Sequence, residues 1–309
     1  MLLPRLVRFA AALAALMVAT FAMIHLIPGD PVRAALGPAA PPELVAARIA
    51  ALGLDQPLPM QFVTYVKGVF TGDLGTSFLT GEPVGQTILE RLPNTLTLAV
   101  LATLVALLVA VPLGLWVAIR TENGRHRGAE LGFTAGTGAA VAVPEFLYSI
   151  ALVVVFAITL GWFPPAGKEG ALSFVLPIAA LAIGPAALIA RLVRVETARE
   201  LGKDYVRLAR AKRLPAARVN VRHVLPNALT ATLTTGGLLL GGLIAGSVLV
   251  ESVFAWPGLG MRLTEAITQK DFPVAQGVIL VYGAIVLVVN LAVDLALGAL
   301  DPRSTIKEG

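Results

Sequence analysis

The stretch Arg191–Pro226, RLVRVETARELGKDYVRLARAKRLPAARVNVRHVLP, is the most strongly basic part of this sequence and lies between two long apolar runs. Those runs determine the solvent in which the chain folds. Hydrophobic residues make up 57% of its 309 residues and charged residues only 14%. A typical soluble domain has about 25% charged residues. The composition therefore predicts an integral membrane protein.

Six stretches are long enough to cross a membrane, because a spanning helix needs about 20 mostly apolar residues. They are residues 9–27, 96–119, 131–160, 174–193, 228–250 and 274–300. We therefore predict an all-α integral membrane protein with six transmembrane helices. Its segments would be residues 1–27 (N-terminus and first span), 28–93 (a long extracytoplasmic insertion), 94–300 (a core of five helices) and 301–309 (a cytoplasmic tail).

The distribution of Lys and Arg predicts the orientation, because these residues accumulate in short loops on the cytoplasmic side. They cluster before span one, between spans two and three, after span six and, most densely, at about 194–225. Both termini and this basic loop are therefore expected in the cytoplasm. The net charge of +5 largely reflects this asymmetry, so it does not imply a nucleic-acid partner.

Signatures of catalysis are missing from the sequence. It contains no HExxH, GxSxG or phosphate-binding loop, and it has no cysteine. Its three histidines are far apart in the sequence. We predict no metal site, no cofactor bound by this chain and no enzymatic activity. Any energy for transport would come from an ion gradient or from another polypeptide.

Within the basic loop, Leu201, Tyr205 and Leu208 recur at the spacing of one face of a short helix. Asp204 could cap that helix and Pro215 end it, with a second short helix leading into the fifth span. Such a pair is suited to docking in a groove of a cytoplasmic partner. A helix lying on anionic lipid headgroups is the alternative, and the residues alone favour neither.

Polar residues within spans are candidates for the transport path, because a carboxylate at mid-bilayer costs about 2.5 to 3.5 kcal/mol. Glu145, which follows Pro144, could line the path or bond to a partner subunit. Asn290 and Asp294 share one face of the sixth span, where interhelical hydrogen bonds are favoured over a path role. Glu251, at the outer end of the fifth span, is expected to reach water.

Two GxxxG patterns in the fifth span predict close approach of another helix. They are Gly237 with Gly241, and Gly242 with Gly246.

Part of the basic loop resembles the coupling loop of ABC importer permeases, in the branch that transports peptides. The resemblance rests on Tyr205–Lys212 and on His223–Ala228, HVLPNA. Arg207-Leu208-Ala209 stands where that family has Glu-Ala-Ala. The family's glycine position holds Arg213, which is a departure. If the glycine supplies a left-handed turn there, either Arg213 is strained or the turn differs.

Short motifs of the same branch, above all of its dipeptide permeases of the first type, recur in order along nearly the whole chain. They are Gly29-Asp30-Pro31, residues 53–58 (GLDQPL), 72–77 (GDLGTS), 91–95 (RLPNT), 254–260 (FAWPGLG), 271–273 (DFP) and 300–303 (LDPR). The resemblance implies a type I importer permease fold and a multi-pass protein of a bacterial or archaeal plasma membrane.

The resemblance also implies partners: a second homologous permease, two ATP-binding subunits (or one fused) and an extracytoplasmic solute-binding protein. ATP and Mg would bind the partner subunits. Dipeptides or short oligopeptides are the implied cargo, with nickel chelates or haem as the alternative. The residues expected to couple the chain to the ATPase subunits are Lys203, Asp204, Tyr205, Arg207, Leu208, Ala209, Arg210, Ala211, Lys212, Arg213 and Leu214.

Two outer segments are candidates for docking the solute-binding protein. One is the insertion with Asp73, for which a lid over the span ends is the alternative. The other is the turn that carries Phe254, Trp256 and Pro257.

Two other function classes make different demands on the sequence. An ion-coupled secondary transporter is expected to show inverted repeats, and a membrane enzyme would cluster a nucleophile and a base within its spans. Neither pattern is found.

Overall fold

The computed structural model describes residues 2–26, 31–37 and 39–300, leaving aside the side chains at positions 2, 31, 34, 35, 230, 231, 233–240 and 296–300. The motif residues Gly29 and Asp30 and the predicted tail 301–309, including the end of the LDPR motif, lie outside this part of the chain. The described residues are almost entirely helical and form no β-strand beyond one isolated bridge. The prediction of an all-α protein is confirmed.

Helices follow one another along the described chain with short connections. They are α1 (Leu2–Leu26), α2 (Pro31–Leu36), α3 (Pro42–Ala51), α4 (Leu58–Thr71), α5 (Val84–Arg120), α6 (Arg127–Ala142), α7 (Glu145–Leu152), α8 (Val175–Leu201), α9 (Asp204–Ala211), α10 (Ala216–Val219), α11 (Leu225–Val253), α12 (Leu259–Thr268) and α13 (Phe272–Leu300). A π-helical segment, Val153–Thr159, continues α7, and another, Asn220–Val224, joins α10 to α11.

Four helical stretches are long and apolar enough to cross a membrane by themselves: Leu3–Leu26, Val84–Arg120, Ala171–Leu201 and Phe272–Leu295. The third predicted span is broken. Its two halves, Arg127–Ala142 and Glu145–Thr159, meet at an angle of 97°. Pro144 stands at the break, where it removes a helical hydrogen bond and starts the second helix. The fifth predicted span lies in α11, whose middle side chains are outside the description, so the count of six stays a prediction.

Helix α5 crosses the predicted boundary between insertion and core, and the segment bounds stay a prediction. Helix α5 begins at Val84, so the last residues of the predicted insertion, 84–93, are already part of this helix. Pro93 and Pro112 are both inside it. The helix continues through Pro93, which the proline alone did not indicate.

Helices α5 and α8 pack against each other at the centre of the molecule, and α8 also contacts α6, α7 and α11. Ala106 and Ala110 of α5 are buried, and Gly114 follows at the same spacing. A Cβ atom at Gly114 would lie only 2.7 Å from Cβ of Val193. The helices can approach this closely because position 114 carries no side chain.

The molecule has two chemically different ends. We call α9 and α10 (Asp204–Val219) the basic helix pair and the end that carries it the basic side. The turn between α11 and α12, Phe254–Gly260, is the aromatic turn, and it lies at the other end of α11, on the opposite side. The short helices α2 and α3 pack there, through Val32 and Val45, against Phe272 at the start of α13.

Candidate coupling and transport sites

The predicted pair of short helices is present, and its buried face is made of small apolar residues. Val206 and Ala209 of α9 are buried, and they share a cluster with Val219 and Val224. Leu201 was predicted to share a face with Tyr205 and Leu208. This is wrong, because Leu201 ends α8 and is buried in the same cluster as Val206.

The opposite face of α9 is open. Leu208 is 59% exposed and Tyr205 is 37% exposed. Asp204 is the first residue of the helix rather than its cap. The cap position is Lys203, and neither side chain makes a capping hydrogen bond. Asp204 instead pairs with Arg207 at 3.2 Å.

A polar network around Glu200 holds α9 to the end of α8. The buried carboxylate of Glu200 accepts hydrogen bonds from the Tyr205 hydroxyl at 2.5 Å and from Lys203 Nζ at 2.6 Å. Asn227, at the start of α11, donates to the Tyr205 hydroxyl at 3.2 Å. Burial and the bond to Glu200 raise the pKa of Tyr205 above its usual value. The tyrosine therefore connects α8, α9 and α11 as a neutral phenol.

A salt bridge ties α9 to the loop after α5. Both terminal nitrogens of Arg210 donate to the Glu122 carboxylate, at 2.8 and 3.1 Å. These bonds raise the pKa of Arg210 further above its ordinary value. Planar two-point pairing of this kind fixes orientation as well as distance. The basic helix pair is therefore attached to α5 as well as to α8 and α11.

Arg213 keeps the left-handed turn in spite of its side chain. Its φ is +55°, and its backbone N–H donates to the carbonyl of Arg210 at 2.9 Å. A non-glycine residue is strained in this region. Of the two alternatives at this position, the structure shows the strained one. The other predicted coupling residues in the turn lie at the surface or half-buried: Ala211, Lys212 and Leu214.

Glu145, a predicted path residue, is the first residue of α7, directly after the 97° break. Its carboxylate lies against α11, since a Cβ atom at Gly246 would be 2.8 Å from Oε2 of Glu145. Gly241 of the same helix faces α13, where a Cβ atom would lie 3.5 Å from Oδ1 of Asn290. Gly246 thus allows close approach of Glu145 to α11, whereas a Cβ atom at Gly241 would make only ordinary van der Waals contact with α13.

Asp294 is exposed, and its backbone carbonyl accepts a hydrogen bond from Arg5 at 2.7 Å. Asn290 and Glu145 contact α11 at different positions, so the structure shows no single cluster of the three predicted path residues. Their role in a path stays a prediction.

Two aromatic side chains predicted to dock a binding protein are buried. Phe254 is 2% exposed and Trp256 is fully buried. Trp256 packs edge to face on Phe174, with 4.6 Å between ring centroids, and donates from Nε1 to the Asn94 carbonyl at 3.3 Å. These side chains therefore stabilise the turn and cannot contact another protein in this conformation. Half-buried Pro257 stays a docking candidate.

Asp73 is exposed on the opposite side, and its Oδ1 accepts a hydrogen bond from the backbone N–H of Gly75 at 3.1 Å. Its predicted role in docking is therefore compatible with its position, although no contact tests it.

Glu251 was expected to reach water, and this is wrong, because it is fully buried. Its carboxylate accepts hydrogen bonds from the backbone N–H groups of Gly260 and Met261, at 2.7 and 3.3 Å, and from Ser247 Oγ at 3.1 Å. It thereby satisfies the N–H groups at the start of α12. A signal for this role was present in the sequence: an acidic residue nine positions before a glycine at a helix start.

A second buried carboxylate joins the insertion to the helices. Asp271 accepts hydrogen bonds from Ser77 Oγ at 2.6 Å and from the backbone N–H of Phe78 at 2.9 Å, with Arg262 at 3.4 Å. Sequence reasoning singled out the two motifs that contain Ser77 and Asp271 but not their contact.

In the part of the chain that the structure describes, no three or more His, Asp or Glu side chains come together as a metal site. The described fold is that of a helical membrane protein that presents a short helix pair at one end.

Comparison with known proteins identifies the family. Residues 110–306 match the family described as "Binding-protein-dependent transport system inner membrane component", and residues 1–99 match its N-terminal counterpart. The chain belongs to this family and is the permease subunit of an ABC importer, a multi-pass inner-membrane protein that works with ATP-binding subunits and a binding protein. The resemblance seen in the sequence is confirmed.

Individual relatives cover nearly the whole chain. A Brucella suis permease named for a peptide transport system is 36% identical over 292 residues, which are 92% of each chain. Glutathione transport system permease protein GsiC of Salmonella typhimurium is 36% identical over 291 residues, 94% of each chain.

A solved structure supports the fold. The MetNI methionine ABC transporter in an inward-facing conformation aligns with a TM-score of 0.57 at 18% identity, covering 70% of this chain and 97% of that one. Similarity at this identity supports the type I importer permease fold alone.

Proposed function

We propose that this permease imports dipeptides or short oligopeptides that an extracytoplasmic solute-binding protein delivers. The names of the relatives, which refer to peptide and glutathione transport, support this cargo. They give no support to nickel chelates or haem. A second, homologous permease would complete the transport path. The residues of this chain that are candidates for lining the path are Glu145, Asn290 and Asp294.

In this proposal the basic side faces the cytoplasm, together with both termini. The basic residues at the ends of the spans support that orientation. Two ATP-binding subunits, or one fused subunit, would dock there and hydrolyse ATP with Mg, while this chain performs no chemistry. The extracytoplasmic insertion and Pro257 would face the solute-binding protein.

The observation that carries the proposal is the construction of α9. Its buried side and its polar bonds hold it to three other helices, while Leu208 projects outward. If a docked partner displaces a helix that is held in this way, the displacement passes to α5, α8 and α11 without bending of the helix.

The first experiment is to purify the chain gently from its native membrane and identify the chains that accompany it by mass spectrometry. Recovery of a second permease, ATP-binding subunits and a binding protein is expected. ATP-dependent uptake of a labelled dipeptide should then require all of them. Gradient-driven uptake by the lone chain would contradict the proposal and indicate a secondary carrier.

Docking itself can be tested by crosslinking, since the sequence contains no cysteine. A cysteine in place of Leu208 should crosslink to an ATP-binding subunit. Leu172→Cys, which is similarly exposed but near the start of α8 on the opposite side, is the matched control. Equal crosslinking of both variants would remove α9 from the docking surface.

A further inference from the structure

An apolar groove of about 540 Å³ lies between α5, α6 and α8. Its walls include Leu113 and Trp116 of α5, Phe133 of α6 and Ala187 of α8. Thr137 is its polar side chain, and its hydroxyl already donates to a carbonyl of its own helix at 2.6 Å. The interior of the groove therefore offers nothing to a polar ligand and suits an alkyl chain.

The depth of the groove comes from glycines on α6. Gly132 and Gly136 line it, and a Cβ atom at either position would meet no atom within 4 Å. Side chains of ordinary size would fill this space from within the protein. Their absence leaves an open volume beside α6.

The groove has a cationic mouth on the basic side. Trp116 lies near this end of α5, and the guanidinium carbon of Arg120 is 5.3 Å from its ring centroid. Arg125 and Arg127 follow in the link to α6. All three arginines are exposed. A tryptophan beside arginines is typical of the level of lipid headgroups.

The acidic residues near the mouth are already paired. Glu122 bonds to Arg210, and Glu130 bonds to Arg194. Among the residues that the structure describes, no carboxylate pairs with the three mouth arginines. Their charge is therefore available to an anion at the membrane surface.

We propose that the groove binds one acyl chain of an acidic phospholipid, with the phosphate headgroup at Arg120, Arg125 and Arg127. The apolar interior matches the chain, and the cationic mouth matches the headgroup, as in basic pockets between transmembrane helices. A helix with its side chains is about 10 to 12 Å wide, so a helix of the partner permease could cover this groove but not fill it.

The test uses the assembled importer in nanodiscs of equal phosphatidylglycerol and phosphatidylcholine. After extensive delipidation, mass spectrometry counts the phospholipids retained per complex. Wild type should retain phosphatidylglycerol in preference. Gly136→Leu should reduce retention about fourfold for each methylene excluded from the groove. Gly138→Leu is the matched control, because Gly138 also has open space but does not line the groove.

Headgroup recognition is tested separately. Arg120→Gln with Arg127→Gln should lower the preference for phosphatidylglycerol by about fivefold for each arginine lost. Arg222→Gln, which removes an exposed charge from the basic helix pair region, should leave it unchanged.

Two results would overturn the proposal. Equal retention of phosphatidylglycerol by wild type and Gly136→Leu would mean that the retained lipid is annular lipid and does not occupy the groove. Crosslinking of Gly136→Cys to the second permease, with no lipid retained, would show that a protein helix occupies the site. If Gly136→Leu fails to assemble, Gly132→Leu, which fills the same groove, gives the same comparison.

Discussion

The two ends of the molecule use aromatic and charged residues in opposite ways. On the basic side, α9 buries the small residues Val206 and Ala209 and exposes the large ones, Tyr205 and Leu208. On the opposite side, the aromatic turn buries its large residues, Phe254 and Trp256. Both segments resembled docking sites in the sequence, but only α9 leaves its large side chains exposed.

The difference teaches how to interpret aromatic motifs in loops of membrane proteins. A loop that must keep its own shape directs its large side chains inward, because burial of apolar area stabilises it. In the coupling role that we propose, α9 binds another protein; polar bonds to Glu200 and Glu122 hold it from behind and leave apolar area exposed. The predictions below test that contrast.

Removing the buried carboxylate should give the largest effect. In Glu251→Ala, the backbone N–H groups of Gly260 and Met261 lose their acceptor, and each unpaired donor costs about 1 to 3 kcal/mol, while the Ser247 hydroxyl keeps the carbonyl of Ile244. We expect a large fall in the thermal unfolding midpoint of the complex and a low yield. Glu251→Gln, which keeps one oxygen, should lose less. Glu169→Ala, an exposed residue on the same side, is the control. Equal midpoints for Glu251→Ala and this control would contradict the structural role.

Charging the exposed face of α9 should affect function rather than folding. Leu208→Asp should lower ATP-driven peptide uptake at least about tenfold, a change of about 1.4 kcal/mol, because a charge enters an apolar interface. The unfolding midpoint should not move. Leu208→Met should transport normally. Tyr205 and Ala209 are poorer choices, since one is hydrogen-bonded and the other is buried. Normal uptake by Leu208→Asp would remove α9 from the coupling role.

Relieving the strained turn should stabilise the basic helix pair. Arg213→Gly removes the left-handed strain and should raise the free energy of unfolding by about 1 kcal/mol. Lys212→Gly, one residue earlier at φ −74°, should lower it instead. The measurement is denaturant unfolding of the purified complex. A loss of stability in both variants would mean that Arg213 makes a compensating contact.

The smallest effect is expected for the salt bridge from α9 to the α5 loop. A double-mutant cycle with Arg210→Gln and Glu122→Gln should give a coupling energy of about 0.5 kcal/mol that decreases with added salt. The fully exposed pair of Arg207 and Asp204 should give a value near zero. A larger coupling energy for the pair of Arg207 and Asp204 would show that the bond from Arg210 to the loop after α5 is no stronger than an exposed ion pair.

Much of the fold could be predicted from the chain, since apolar length and positive charge act locally. The helical class and the two short helices after α8 follow from runs of residues and from prolines. The count of spans and the start of α5 at Val84 do not, because a proline inside a helix is tolerated or not according to its packing.

The site was only partly predictable for a related reason. Motifs 91–95 and 254–260 looked independent, yet they meet where Asn94 donates to the Pro257 carbonyl at 2.7 Å and Leu259 N–H donates to Thr95 Oγ1 at 2.9 Å. Ser77 and Asp271 bring two other motifs together in the same way. Each motif is one half of a contact between distant parts of the chain.

Composition, motif order and periodicity are properties of neighbouring residues. They were therefore enough to predict that this protein spans a membrane, that it belongs with the importer permeases and that its basic loop forms short helices. Which side chains are exposed follows only from the packing of the helices. Glu251 is buried and Leu208 is exposed because burial depends on helices that are distant in the sequence. A local sequence pattern contains no information about those helices.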